Sequence, residues 1–177
     1  IANRQGGDAD ALLADLDRKH PDHLWIAIAR AQAAQAARKP VQAETRFEQL
    51  IVKYPENRAV VLAYADFLLE LDNADKAQRA QELLRRIGGD GEDFVYQRLL
   101  ARAYELSGNT LRAAEAYAEV AFLNGRVDDA ISQLTTLLKN DNLDYYQRAR
   151  VEARITELMP ISLELKRQGI KPEQQGG

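Results

Sequence analysis

The sequence predicts an all-α fold, a solenoid of about nine helices, on three observations. Ala, Leu, Gln, Glu and Arg are abundant while aromatic residues make up only 7%, and this composition favours helices. Apolar residues recur with the period of a helix, and glycines and prolines mostly fall between these segments. A motif also recurs at a constant interval of about 34 residues. Helix pairs that repeat in this way bury their apolar faces only by stacking.

Periodicity and capping residues predict where each helix begins and ends. Pro40 suits a first helical turn, where its missing N–H group costs no hydrogen bond. Pro160 is expected to kink or break the last helix. The acidic run 90–93 indicates the start of the sixth helix, because negative charges are favourable at a helix N-terminus. The other predicted N-caps are Asn57, Asn73, Asn109, and Asp141 or Asn142. The predicted helices span residues 8–19, 23–37, 40–53, 57–71, 74–87, 93–107, 110–123, 127–139 and 143–167.

The repeat is clearest around two prolines. Pro21 in "KHPDH" and Pro55 in "KYPEN" are one repeat interval apart, and each follows Lys and an aromatic ring and precedes an acid. Upstream of them, Ala9 aligns with Ala43, and Ala77 follows after the same interval. A small residue at one position lets two helices approach closely. The bulky positions that follow are Leu13, Phe47 and Gln81, then Leu16, Leu50 and Leu84.

The later copies change the spacing. In "LLARAYELSGNTLRAAEAY" (99–117) the core positions are those of a complete copy, but the next copy repeats only the second half. Gly108 and Gly125 are therefore separated by only half of the repeat interval. We expect the helix at 111–123 to be the second helix of one pair and the first helix of the next.

This repeat pattern resembles the tetratricopeptide repeat. The resemblance implies helix pairs over residues 1–140, starting in the middle of a repeat, with the half-repeat spacing at 108–125. A capping helix is expected at 141–167, with a kink near Pro160, and a frayed tail at 168–177. The first half-repeat has no helix before it. We therefore expect either more protein upstream of Ile1 or self-association at this end.

"KHPDH" holds both histidines of the chain and is the first candidate for a metal site. Its spacing does not match the common tetrahedral zinc sites, and no HExxH motif or cysteine is present. The next copy of the motif carries Tyr54 in place of His20. The pattern therefore indicates a turn between helices, and no metal ligand is predicted.

Other catalytic arrangements find no support in the sequence. Ser107, Ser132 and Ser162 have neither a nearby histidine nor a GxSxG motif, and the glycine pairs do not form a phosphate-binding loop. We predict that this chain is not an enzyme and holds no cofactor. The competing hypothesis, an enzyme that uses this chain alone, would be exposed by zinc content or by casein cleavage.

The net charge of −3 gives no electrostatic reason to expect nucleic acid or an anionic membrane as the main partner. No apolar run approaches the roughly 18–20 residues that cross a bilayer, so direct membrane insertion is not predicted. The expected partner is a protein or peptide.

In the tetratricopeptide fold the first helix of each pair lines a concave binding face. Trp25 is a candidate anchor, although it could instead pack against the neighbouring pair. Arg98 and Arg102 could hold a carboxylate, or they could form a solvated helix face. At the positions that form the carboxylate clamp of tetratricopeptide co-chaperones, this sequence has other residues. By alignment, the predicted face consists of Trp25, Ile28, Gln32, Leu62, Asp66, Leu69, Val95, Arg98 and Arg102.

Residues 118–158 have a more specific resemblance. The half-repeat "LNGRVDDAISQL" and the later "YYQRARVEARITEL" are similar to the end of the periplasmic β-barrel assembly-enhancing zinc metalloproteases. These proteins have an HExxH protease domain followed by tetratricopeptide repeats. The resemblance implies a periplasmic location and contact with the outer-membrane β-barrel assembly complex and with the chain's own protease domain.

No catalytic residue carries over, because the zinc motif is absent from this chain. The resemblance places zinc only in a protease domain upstream of Ile1. The expected function is therefore a protein-interaction scaffold in the assembly and quality control of outer-membrane β-barrel proteins. The alternative is a stand-alone tetratricopeptide adaptor with an unrelated envelope or secretion partner.

Overall fold

The computed structural model describes residues 2–89 and 93–170, with side chains from Ala9 onward. Nine α-helices and no strand occur within these ranges. The helices are α1 (Ala2–Lys19), α2 (Leu24–Ala36), α3 (Pro40–Lys53), α4 (Arg58–Glu70), α5 (Ala74–Ile87), α6 (Phe94–Leu106), α7 (Thr110–Leu123), α8 (Val127–Leu137) and α9 (Tyr145–Arg167). The chain forms two compact units, unit 1 (Ile1–Gly88) and unit 2 (Gly89–Gly177).

Unit 1 is a stack of antiparallel helices. Each of its helices packs against the next one in the chain, and α2 also packs against α4. Ala43 and Ala77, at equivalent positions of successive repeats, are both completely buried, as expected for small residues at helix crossings. Phe47 fills the space between helices, with its ring centroid 5.4 Å from both Tyr64 and Phe67.

The first helix is longer than the sequence predicts, because α1 begins at Ala2 and not at residue 8. It is held to α3 by Arg46, whose Nη1 and Nη2 donate to Asp10 Oδ1 and Oδ2 at 2.7 and 3.2 Å. These bonds lower the pKa of Asp10. Leu16 of α1 is exposed, whereas Leu50 at the same repeat position is buried.

In unit 2, α7 packs against both α6 and α8, and α8 packs against α9. Alanines let α7 and α8 approach closely in its core, and α9 contributes apolar residues from the other side. The buried residues of this core are Ala118, Ala121, Val127, Ala130, Leu134, Val151 and Leu158.

Several predicted caps are confirmed. Asn57, Asn73 and Asn109 accept hydrogen bonds from the first turns of α4, α5 and α7, and Pro40 is the first residue of α3. Asp93 caps α6, while the rest of the acidic run, 90–92, lies outside the described residues.

The start of the last helix was predicted incorrectly. Neither Asp141 nor Asn142 caps α9, because Asp144 does so, in a reciprocal capping box with Gln147. The last helix does not break at Pro160, since α9 continues through it to Arg167. The predicted kink near Pro160 stays a prediction. Leu158 and Ser162, on either side of the proline, are both buried, and this packing holds the helix together. The tail from residue 171 lies outside the described residues.

Candidate functional site

The residues of the predicted binding face in unit 1 differ in accessibility. Trp25 is 63% exposed at the start of α2, and Gln32 is exposed further along the same helix. Ile28 and Leu69 are each only 5% exposed. These two side chains contribute to the core of unit 1 and offer little surface to a partner. Leu62 and Asp66 of α4 are half-buried.

The predicted residues in unit 2 all lie on α6. Val95, Arg98 and Arg102 are exposed, and Arg102 Nη1 donates to Glu105 Oε2 at 2.8 Å. Binding of a partner by these residues, and by those in unit 1, stays a prediction.

A cavity of about 250 Å³ lies among the four helices of unit 2. Its apolar lining comes from α6, α7, α8 and α9, and arginine and glutamate side chains from α7 and α9 surround it. The lining residues are Gln97, Leu100, Tyr104, Arg112, Glu115, Ala116, Glu119, Leu134, Arg150, Val151 and Arg154.

Two charged pairs link α7 to α9 beside this cavity. Arg150 Nε and Nη2 donate to Glu115 Oε1 and Oε2 at 2.7 and 3.1 Å. One turn further along each helix, Arg154 Nε and Nη2 donate to Glu119 Oε1 and Oε2, both at 2.7 Å. Both pairs are bidentate, the geometry in which arginine binds carboxylates most specifically.

Further contacts fix these arginines. Arg154 lies over the ring of Phe122, 4.9 Å from its centroid, and also donates to Glu157 at 2.9 Å. Arg112 Nη1 donates to Glu115 Oε2 at 3.4 Å. The hydrogen bonds that Arg150 and Arg154 donate to Glu115 and Glu119 raise the pKa of the two arginines. Both arginines therefore stay positively charged.

The sequence pattern does not predict this cavity. The predicted Arg98 and Arg102 lie on the opposite side of α6 from Leu100 and Tyr104, which line the cavity, as the 3.6-residue period requires. A signal was nevertheless present. Glu115 and Glu119 have the same four-residue spacing as Arg150 and Arg154, which indicates two facing helices with matched charges.

The "KHPDH" segment forms the turn between α1 and α2, with Asp22 in a left-handed conformation (φ 65°). Lys53, the first residue of "KYPEN", forms an ion pair with Asp22, and this bond raises the pKa of Lys53. This ion pair therefore connects the turns of two successive repeats. Among the residues that the structure describes, no group of three or more His, Cys, Asp or Glu side chains is placed to hold a metal ion.

The tetratricopeptide repeat family model matches residues 34–102, from α2 to α6. No curated protein matches the chain. Over the part of the chain that the structure describes, no helix is both long and apolar enough to cross a membrane. Tetratricopeptide domains are typically non-catalytic and bind proteins. The prediction of an all-α tetratricopeptide-repeat fold is confirmed, and this fold indicates a protein–protein interaction scaffold.

Proposed function

We propose that the chain is the interaction domain of a periplasmic zinc metalloprotease, and that it docks this protease to the outer-membrane β-barrel assembly complex or its substrates. The observation that carries the scaffold role is the tetratricopeptide match at residues 34–102. The finer assignment is supported by the sequence resemblance of residues 118–158, which include the end of α7, all of α8 and α9 as far as Leu158.

Each unit has exposed side chains that a partner could bind. In unit 1 the exposed Trp25 offers a large apolar side chain, the type that most often anchors protein interfaces. In unit 2 the exposed face of α6 offers Val95 and Arg98.

The first experiment is co-purification. The tagged chain is incubated with a periplasmic and outer-membrane extract, and components of the barrel assembly complex are quantified. We expect their enrichment over a chain with scrambled surface residues. Equal recovery with both chains would eliminate this partner.

Single substitutions then test the predicted face in each unit separately. Trp25→Ala and Arg98→Ala should each weaken recovery of the partner without changing helicity in circular dichroism. Val52→Ala is a matched control, because Val52 is also an exposed apolar residue of unit 1 but lies outside the predicted face. Unchanged recovery with both test variants would rule out these residues as anchors.

The link to a protease is tested on the gene. An HExxH-encoding domain upstream in the same reading frame would support the proposal, and zinc is assigned to that domain. A signal peptide that leads directly into the repeats would instead support the stand-alone adaptor.

A further inference from the structure

The cavity of unit 2 has an unequal charge distribution along its rim. At one end, Glu115 accepts hydrogen bonds from both Arg150 and Arg112, so two guanidinium groups share one carboxylate. At the other end, Arg154 is bonded to both Glu119 and Glu157. Of these groups, two arginines and one glutamate lie at the Glu115 end, and one arginine and two glutamates lie at the other end.

Solvent reaches both arginines at that end. The side chains of Arg112 and Arg150 are 48% and 43% exposed, whereas Glu115 is 16% exposed. Asp144, whose carboxylate caps α9 through the backbone N–H of Gln147, keeps its negative charge and also acts electrostatically on Arg150. Each guanidinium has five donors, so both arginines have the capacity to bind a second carboxylate.

The interior of the cavity is apolar. Leu100, Ala116, Leu134 and Val151 contribute to its lining. Its volume of about 250 Å³ is below the range of about 300–1,000 Å³ typical of small-molecule pockets. It exceeds the ~150 Å³ that accommodates a benzene molecule in an engineered cavity. The size therefore suits one large apolar side chain.

We propose that this cavity binds the C-terminal residue of a partner protein, where that residue is large and apolar. Its side chain enters the cavity, and its terminal carboxylate binds Arg112 and Arg150 beside Glu115. The inference rests on the proposed role as a protein-binding scaffold and specifies the chemistry of one binding site. This site uses positions other than those of the co-chaperone clamp.

The arrangement favours a chain terminus over an internal acidic residue. A terminal residue carries its side chain and its carboxylate on the same Cα atom, so one residue satisfies both parts of the site. In an extended internal segment, neighbouring side chains point to opposite faces. An Asp or Glu next to an inserted apolar residue would therefore point away from the two arginines.

Four peptides test the proposal by titration calorimetry with the complete chain. They are acetyl-Gly-Ser-Gly-Phe with a free carboxylate, its C-terminal amide, acetyl-Gly-Ser-Gly-Ala with a free carboxylate, and an amidated peptide with internal Phe-Asp. We expect the first to bind at least about tenfold more tightly than each of the others, since a charged hydrogen bond or a buried ring contributes about that much. Equal affinities for the acid and the amide, or no binding of the first peptide, would overturn the proposal.

Substitutions at the rim give effects of opposite sign. Arg150→Gln or Arg112→Gln should weaken binding of the first peptide about tenfold. Either variant leaves Glu115 with one arginine, which protects the fold. Glu115→Gln should tighten binding several-fold, because it removes the competing carboxylate. Arg167→Gln, an exposed arginine near the end of α9, is the matched control and should change nothing.

Weaker binding by Glu115→Gln, with helicity unchanged, would contradict the inference, as would normal binding by both arginine variants. The outcome is separable from the proposed function. If barrel-assembly components co-purify but the peptide does not bind, only this inference is contradicted. Peptide binding without that co-purification would remove only the proposed partner.

Discussion

Tyr117 illustrates how one side chain couples two helices of unit 2. Its hydroxyl, on α7, donates to Glu105 Oε2 on α6 at 2.7 Å. Burial and this hydrogen bond raise the pKa of Tyr117 to about 12. The same bond, together with one from Arg102, lowers the pKa of Glu105. Folding therefore favours the protonated tyrosine and the ionised glutamate.

Tyr117→Phe should alter stability at both ends of the pH scale. The stabilisation from the raised pKa of Tyr117 is complete below pH 10 and is lost as the pH rises to about 12. The stabilisation from the lowered pKa of Glu105 is present above the ordinary pKa of 4.5. It is lost as the pH falls below that value. Urea unfolding across pH should show a flatter alkaline limb in the variant, and carboxyl NMR should show a higher pKa of Glu105. An unchanged Glu105 titration would contradict the coupling.

Left-handed residues follow the first helix of successive pairs. Arg38 and Asp72, at equivalent positions of two successive repeats, have φ values of 56° and 49°, and Gly108 occupies the corresponding turn after α6 with φ 78°. Glycine adopts this conformation without the penalty of about 1–2 kcal/mol that other residues incur. The sequence predicts a turn at both places, but it indicates a left-handed residue only at Gly108, because nothing about arginine predicts that conformation.

Arg38→Gly should stabilise the protein by roughly 0.5–1 kcal/mol, while Gly108→Ala should destabilise it by about 1 kcal/mol. A Cβ atom at residue 108 would meet no atom within 4 Å, so its cost is conformational. Urea unfolding measures both values. Arg38→Ala is the control, because it removes the side chain but keeps the strained backbone. If it stabilises as much as Arg38→Gly, backbone strain is not the cause.

At the scale of elements, α8 and α9 are joined by a partly buried polar cluster. Asp128, in the first turn of α8, accepts hydrogen bonds from Ser162 Oγ at 2.5 Å and from Lys166 Nζ at 3.0 Å. Ser162 is only 3% exposed. The neighbouring Asp129 is exposed and bonds only weakly, at 3.5 Å, with Arg126 of the same turn.

Asp128→Ala should destabilise unit 2 by about 1.5–3 kcal/mol, because it removes charged hydrogen bonds and leaves the Ser162 hydroxyl without its acceptor. Asp129→Ala is the matched control. Both substitutions remove a negative charge from the same helix start, so they share the helix-dipole effect of about 0.3–1 kcal/mol. Chemical unfolding should therefore give a larger loss for Asp128→Ala. Equal losses would show that only the dipole matters.

The helices could be predicted more reliably than their ends. Repeated alanine and leucine positions and asparagine caps predict most boundaries closely, because these signals are local. The start of α9 was missed because several acidic or amide residues precede it, and only the partner Gln147 identifies Asp144 as the cap. Its continuity through Pro160 depends on tertiary packing, which local rules do not contain.

At the scale of the whole molecule, the fold class follows from the sequence repeat, but the candidate sites do not. Alignment to the repeat predicts which helix side faces a groove, and it does not predict which residues are buried. Ile28 and Leu69 show this, since both belong to the predicted face and both lie in the core. The cavity of unit 2 depends on α9, which has no counterpart in the repeat pattern.

Each unit has its own buried core, and this leads to a reciprocal prediction. Phe47 is completely buried in unit 1, and Leu158 is almost completely buried in unit 2. Phe47→Ala should cost about 3–5 kcal/mol and Leu158→Ala about 2–5 kcal/mol. In an array of stacked helices the loss should be greatest near the substitution. Backbone hydrogen exchange should show the largest loss of protection in α2–α5 for the first variant and in α7–α9 for the second.

Val52→Ala, on the same helix as Phe47 but exposed, should change stability by less than about 0.5 kcal/mol. Equal loss of protection throughout both units from either core truncation would show that the two cores unfold as one.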